Sequence, residues 1–301
     1  MRNINHILAV IDRSEDVSQV LNKTRFLAEA NDADIHVVRV IYEGITDFKG
    51  QTQKESAQLK GLILEAEEIN LANLCEGINN TLQNVESFAM WNAKTWEGIL
   101  HAAVLVDADL IVRSAYCHNH PGVLIRTPDD WNLLRHSEVP VMLVGPQAWK
   151  KCQFVLAALD VFDDDHEALN IEILRSSSAY AKRIGGKLHI VCTYPLFEPW
   201  ATEFGAVTSY EELKQSIELD IAHRVERLCS KACVSFHMLY AEEGRPAYAI
   251  SRVSNEADAD VLFVGTKARQ GIKGIILGNT SEHIIHSTSL DVITIHEPQG
   301  T

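Results

Sequence analysis

Residues 265 to 283 read GTKARQGIKGIILGNTSEH, a basic, glycine-spaced loop running into an amphipathic segment. Phosphate cradles need glycine because main-chain N–H groups must approach anionic oxygens with no Cβ in the way, and a helix N-terminus adds favourable partial charge. Gly278 immediately precedes the expected helix TSEHII, with Asn279 or Thr280 able to cap it. Lys267, Arg269 and Lys273 supply positive charge in the same loop. A second reading stands beside this one: Gly265 and Gly278 serve only as turn residues, and the basic side chains form a solvated face.

Other constellations carry less. Cys229, Cys233 and His237 fall four residues apart, a spacing that on one continuous helix would suggest zinc. The helix is expected to stop near Ser230 to Ala232, with VSFHML alternating as a strand, so no metal site is expected. His36 and His189 occupy equivalent places in apolar runs and read as hydrogen-bonded core histidines. The acidic run Asp163 to Glu167 sits at a helix start, where the macrodipole favours it. No GxSxG, HExxH or Walker motif occurs, so no catalytic residue is assigned and the chain is not expected to be an enzyme.

These residues are positioned by a chain written twice. HILAVID (His6 to Asp12) returns as FVLAALD (Phe154 to Asp160), ADIHVVRV as GKLHIVCT, DADLIVRS as DADVLFVGT, and VPVMLV as LDVITI, each about 150 residues on. Helical periodicity fills the intervals 14–30, 51–76, 93–106 and 129–137, then 165–184, 208–231, 246–257 and 279–287. Alternating strands and helices predict two tandem Rossmann-like α/β domains, each a five-stranded parallel sheet in flavodoxin-like order with helices on both faces. The domains are expected over 1–147 and 151–301, separated where GPQAWKK interrupts the apolar periodicity. Gly185-Gly186 should end one helix and Pro246 open another.

A formal charge of −14 disfavours nucleic acid as a partner, and no apolar run is long enough for a membrane span. The short N-terminal apolar run is too brief for a secretory leader. Six scattered cysteines without a CxxC suggest reduced thiols, and the expected location is the cytoplasm.

In an open parallel sheet, ligands bind beyond the carboxyl ends of the strands. Asp160, the turn Thr193 to Pro195 and the loop Gly265 to Thr280 all fall there. Asp160 closing the first strand, followed by Gly265-x2-Ala268-x9-Gly278-Asn279, resembles the G-x2-G-x9-G-[ST] loop of universal stress proteins, and the order of elements extends that resemblance over the whole chain. The resemblance implies a nucleotide, ATP with Mg2+, in the second domain, with ribose and adenine near Asp160 and Ile190 and with Val264 and Gly265 nearby. It also implies an intramolecular pseudo-dimer through VPVMLV and LDVITI, a homodimer as a further option, and protein partners that the sequence does not name.

Two departures from the pattern weaken the loop. Ala268 replaces the second glycine, costing on the order of 1 kcal/mol or more if positive φ is needed, and Asn279 replaces Ser or Thr. In the first copy, Ser114, Cys117, Thr127 and Pro128 stand opposite Gly265, Ala268, Gly278 and Asn279, so no phosphate loop is expected there; Asp12 keeps the place of Asp160 and can equally cap the next helix. The alternatives are a ligand-independent scaffold, an apolar guest in the second-domain crevice beside the aromatic loop Tyr194 to Gly205, and slow ATP hydrolysis.

Overall fold

The computed structural model describes residues 4–13, 17–44, 52–76, 84–114, 128–145, 147–149, 153–195, 210–266, 285 and 290–297. Chain contacts divide it into two compact units, Arg2–Ala148 and Trp149–Thr301.

In the first unit the strands are β1 (His6–Val10), β2 (Asp34–Ile41), β3 (Val85–Trp91), β4 (Leu110–Ser114) and β5 (Val141–Val144). Helices α1 (Val17–Asn31), α2 (Gln53–Glu76), α3 (Thr95–Leu105) and α4 (Pro128–His136) connect them in turn. The second unit repeats the pattern with β6 (Phe154–Leu159), α5 (Glu167–Arg183), β7 (Lys187–Tyr194), α6 (Tyr210–Ala232), β8 (Met238–Glu243), α7 (Pro246–Glu256), β9 (Val261–Thr266) and β10 (Asp291–His296). The inner strands are mostly apolar because both faces of a parallel sheet are covered, and β1, β4 and β9 are buried along nearly their whole length, with Arg39 of β2 and Arg113 of β4 as buried charged exceptions.

Helix ends follow from local chemistry. Pro246 takes the first helical position of α7, where a missing N–H costs nothing. Asp32, Asp107, Cys233, Asp258 and Gly185 all adopt positive φ just beyond a helix. The following amides close six-residue rings onto the last turn: Ala33 N to Ala28 O, Ala108 N to Ala103 O, Gly186 N to Ala181 O, Val234 N to Cys229 O and Ala259 N to Ser254 O. The cap at Cys233 ends α6 there, so Cys229, Cys233 and His237 do not share a helix face. The segment after it does not form the expected strand at once, since β8 begins only at Met238.

All strand pairs within each unit are parallel, in the orders β3-β2-β1-β4-β5 and β8-β7-β6-β9-β10. This is the Rossmann order and corrects the flavodoxin-like order expected from the sequence, in which the first strand would neighbour the third. The third crossover in each unit carries the chain from the sheet's edge back past two strands, so that β4 pairs with β1 and β9 with β6. Right-handed crossovers that reverse direction must change face, so α5 and α6 pack together on one side of their sheet while α7 covers β7 and β8 from the other.

Candidate functional site

The observed order sharpens where a ligand belongs. In the second unit β9, β6 and β7 are neighbours, so the residues leaving these three strands meet at one end of the sheet, and the order reverses between β6 and β9. Asp160 follows β6 directly and Gly265-Thr266 closes β9, which puts both at that switch point.

Asp160 is held in place from behind. Its amide donates to Asn170 Oδ1 (3.3 Å), and Asn170 Nδ2 donates back to its carbonyl (2.6 Å), so buried Asn170 on the first turn of α5 fixes the strand's exit. The carboxylate accepts from Phe162 N at 3.3 Å, and its other oxygen lies 3.0 Å from His166 Nδ1. Asp163 caps the 3-10 turn Asp164–His166 through Asp165 N, as an acidic helix start should. With 57% of its side chain exposed, Asp160 retains lone pairs directed to solvent. Neither Asn170 nor His166 was signalled by sequence, because each acts through proximity that only the turn geometry creates.

Gly265 has a reason independent of any ligand. A Cβ there would lie 2.7 Å from Leu169 Cδ2 and 2.9 Å from Leu169 Cγ, so the glycine lets α5 approach β9. Ile190 is fully buried in mid-strand, paired with Ala157, and Ala157 pairs in turn with Phe263, whose ring packs edge-on against Tyr180 of α5 at 5.4 Å. Ile190 therefore belongs to the face that α5 covers, whereas Val264, one residue out of phase with Phe263, belongs to the opposite face. Lys267, Ala268, Arg269, Gly278, Asn279 and Thr280 lie outside the described residues, as do Phe197, Trp200 and Phe204.

Two further residues join the carboxyl end of this sheet. Thr266 Oγ1 lies 3.3 Å from Ile295 O and 2.6 Å from His296 Nδ1, across the register that pairs Thr266 with His296. If the hydroxyl proton goes to Ile295 O, imidazole Nδ1–H donates to Oγ1 and Nε2 is left bare and buried. Burial pushes the His296 pKa down to about 4 from 6.5. The unfolded chain then takes up a proton before the folded chain does, so stability is full above about pH 6.5 and declines as pH falls toward about 4. Over that window the loss should reach about 3 kcal/mol. Denaturant unfolding at pH 7 and pH 4.5 should show a smaller acid loss in His296→Gln than in the parent; equal losses would contradict this assignment.

His36 and His189 sit in equivalent places in β2 and β7. His36 Nε2 lies 3.4 Å from His6 Nδ1, and His189 Nδ1 lies 3.3 Å from the Tyr240 hydroxyl. Burial is the main cause lowering the pKa of both, which suits neutral core imidazoles.

The equivalent end of the first unit is occupied by its own charges. Register places Arg113 beside Val10, where the second unit has Val264. Arg113 Nη2 donates to Asp12 Oδ2 at 3.1 Å, and its Nε lies 3.2 Å from Asp130 Oδ1 on α4. The Arg113 and Asp130 side chains are 5% and 4% exposed. Asp12 thus serves an ion pair, a role the sequence did not signal. Alongside, Arg39 of β2 and Arg13 both bind Glu67 of α2, and Arg13 also reaches Glu43. Arg39 stands where the second unit has the buried thiol of Cys192.

No helix among the described residues is long and apolar enough to cross a membrane. No group of three or more His, Cys, Asp or Glu that could hold a metal occurs among the described residues.

Comparison with known proteins agrees with this architecture. The universal stress protein family model matches residues 3–145 and 155–296. Universal stress protein E of Photorhabdus laumondii is 25% identical over 322 residues, covering 100% of this chain and 97% of that protein. Universal stress protein E of Escherichia coli is 24% identical over 309 residues, covering 99% and 96%. A universal stress protein structure from Pseudomonas aeruginosa superposes with a TM-score of 0.73 at 22% identity, covering 97% of this chain and 93% of that one.

Proposed function

The chain belongs to the universal stress protein family, a stress-response family, and from that premise we propose that its second unit binds an adenine nucleotide, ATP with Mg2+, as a non-enzymatic signal. The observation that carries this reading is the contrast between two equivalent aspartates. Asp160 is exposed at a switch point lined on one side by Val264, whereas Asp12 is tied to a buried arginine standing in that valine's place. In such a site Asp160 accepts hydrogen bonds from ribose hydroxyls, and Asn170 and His166 position it. Lys267, Arg269 and Gly278 supply the cationic groups and main-chain donors for the phosphates. The nucleotide then biases the surface that this protein offers to protein partners in the cytoplasm.

A ligand-independent scaffold is the second reading, and two observations favour it. Both Asp160 oxygens already have internal partners, and Gly265 is explained by helix packing alone. Thermal unfolding separates the readings, because a ligand that binds only the folded state stabilises it by about 2.7 kcal/mol at 100 times its Kd. The midpoint should rise with Mg-ATP in the parent and much less in Asp160→Ala. An unchanged midpoint at millimolar Mg-ATP overturns nucleotide binding and leaves the scaffold.

A further inference from the structure

We propose that a cleft at the opposite, amino-terminal edge of the second unit's sheet binds a small phosphate-bearing anion. The cleft lies between the last turns of α5 and the residues that open β7 and β8, and its volume is about 250 Å³. Drug-sized ligand sites begin at roughly 300 Å³, so this space suits inorganic phosphate or the phosphoryl end of a small metabolite. Lys182, Lys187 and His237 line it together with the hydroxyls of Ser178 and Ser235. No carboxylate lines it among the described residues, in a chain where 41 acidic side chains outnumber 27 basic ones.

The side chains of its polar residues make no hydrogen bond or ion pair among the described residues. Neither lysine has a carboxylate partner among the described residues; Lys187 Nζ lies 6.0 Å from the Phe154 ring, and its charge also acts on His189. Ser178 is 4% exposed, yet its hydroxyl bonds to none of the described residues, unlike Ser177 and Ser254, which turn back to their own helix carbonyls. Gly186 forms part of the wall, and a Cβ there would meet the Gln153 carbonyl at 2.6 Å.

The duplicated unit supplies an internal comparison. Helix-end hydrogen bonds and strand register set Arg25, Glu29, Ala33 and Asp34 opposite Ser178, Lys182, Gly186 and Lys187. In the first unit this corner is acidic and partly self-paired, with Arg25 Nε 3.6 Å from Glu29 Oε1. In the second it has become cationic. The dipole of α5 favours a base near its C-terminus, but α1 ends without one in the same fold, so the dipole alone does not account for the change. Lysine binds phosphate as a point charge, and two lysines flanking free hydroxyls form a suitable receptor.

The test is a titration of the full chain with potassium phosphate at constant ionic strength, followed by amide proton–nitrogen spectra. Saturable shifts are expected at Ser178, Gly186, Lys187, Ser235 and His237. The midpoint should weaken at least tenfold in Lys182→Gln/Lys187→Gln, whose replaced side chains are exposed, and stay unchanged in Asp160→Ala. Shifts that rise linearly with phosphate, survive the double substitution, vanish in Asp160→Ala or centre on residues 267–280 would each overturn the proposal.

Discussion

Replacing Arg113 by alanine should destabilise the protein by about 3–5 kcal/mol, the usual cost of leaving a buried charge without its partner. Asp130 would remain on α4 with 4% of its side chain exposed, and Asp12 would lose its cross-strand donor. The second unit shows that this fold accepts an apolar residue at the matched position, Val264. The double variant Arg113→Val/Asp130→Leu should therefore lose far less than the single alanine, because removing both charges also removes their desolvation penalty. Urea midpoints measure this directly. A single-variant loss below about 1 kcal/mol, the level of an exposed pair, would mean that the arginine is not buried against those carboxylates.

Glu67→Ala should have an effect of similar size, again about 3–5 kcal/mol, for a related reason. Glu67 and Arg39 are 6% and 7% exposed in side-chain terms, and the guanidinium has Glu67 Oε2 at 2.7 Å and the Ile11 carbonyl at 3.3 Å. Removing the carboxylate strands Arg39 between β2 and α2, while half-exposed Arg13 can turn to Glu43. Burial raises the Glu67 pKa, but hydrogen bonds from Arg39 and Arg13 outweigh that and the net shift is downward. Its contribution is accordingly present above the ordinary carboxylate range and lost as pH falls through the lower folded value. Glu67→Gln, which keeps the shape and one acceptor, should fall between parent and alanine in urea unfolding; a glutamine variant as stable as the parent would contradict a role for the charge.

Together the two clusters explain why equivalent strand ends behave differently. At the carboxyl end of its sheet, the first unit satisfies its aspartate internally with Arg113, and Arg39 and Glu67 complete the polar packing beside it. The second unit keeps an apolar residue and a cysteine at the corresponding places, and its aspartate faces solvent.

Much of this architecture is legible in the sequence. The paired runs HILAVID and FVLAALD, the shared DAD turns and the proline opening α7 mark strands, helix ends and the duplication, because each rests on local periodicity or a local backbone preference. The strand order is not legible in that way: β6 pairs with β9 across about 100 residues, and an apolar run does not record which neighbour it will meet. Arg113 looks like one more charge in a strand until register brings it against Asp12, 101 residues away. Gly265 shows the limit from the other side. A glycine that admits a phosphate and one that admits a helix have the same letter, and only Leu169 beside it distinguishes them. Asn170 and His296 escaped notice because each acts only through hydrogen bonds to another element, Asn170 to Asp160 and His296 to Thr266.

Asymmetry between the units is the central claim, and binding stoichiometry tests it most directly. Equilibrium dialysis of the full chain against labelled ATP with Mg2+ should give one nucleotide per chain, retained in Asp12→Asn and lost in Asp160→Ala. Two per chain, none at millimolar nucleotide, or one that survives Asp160→Ala and disappears in Asp12→Asn would contradict it.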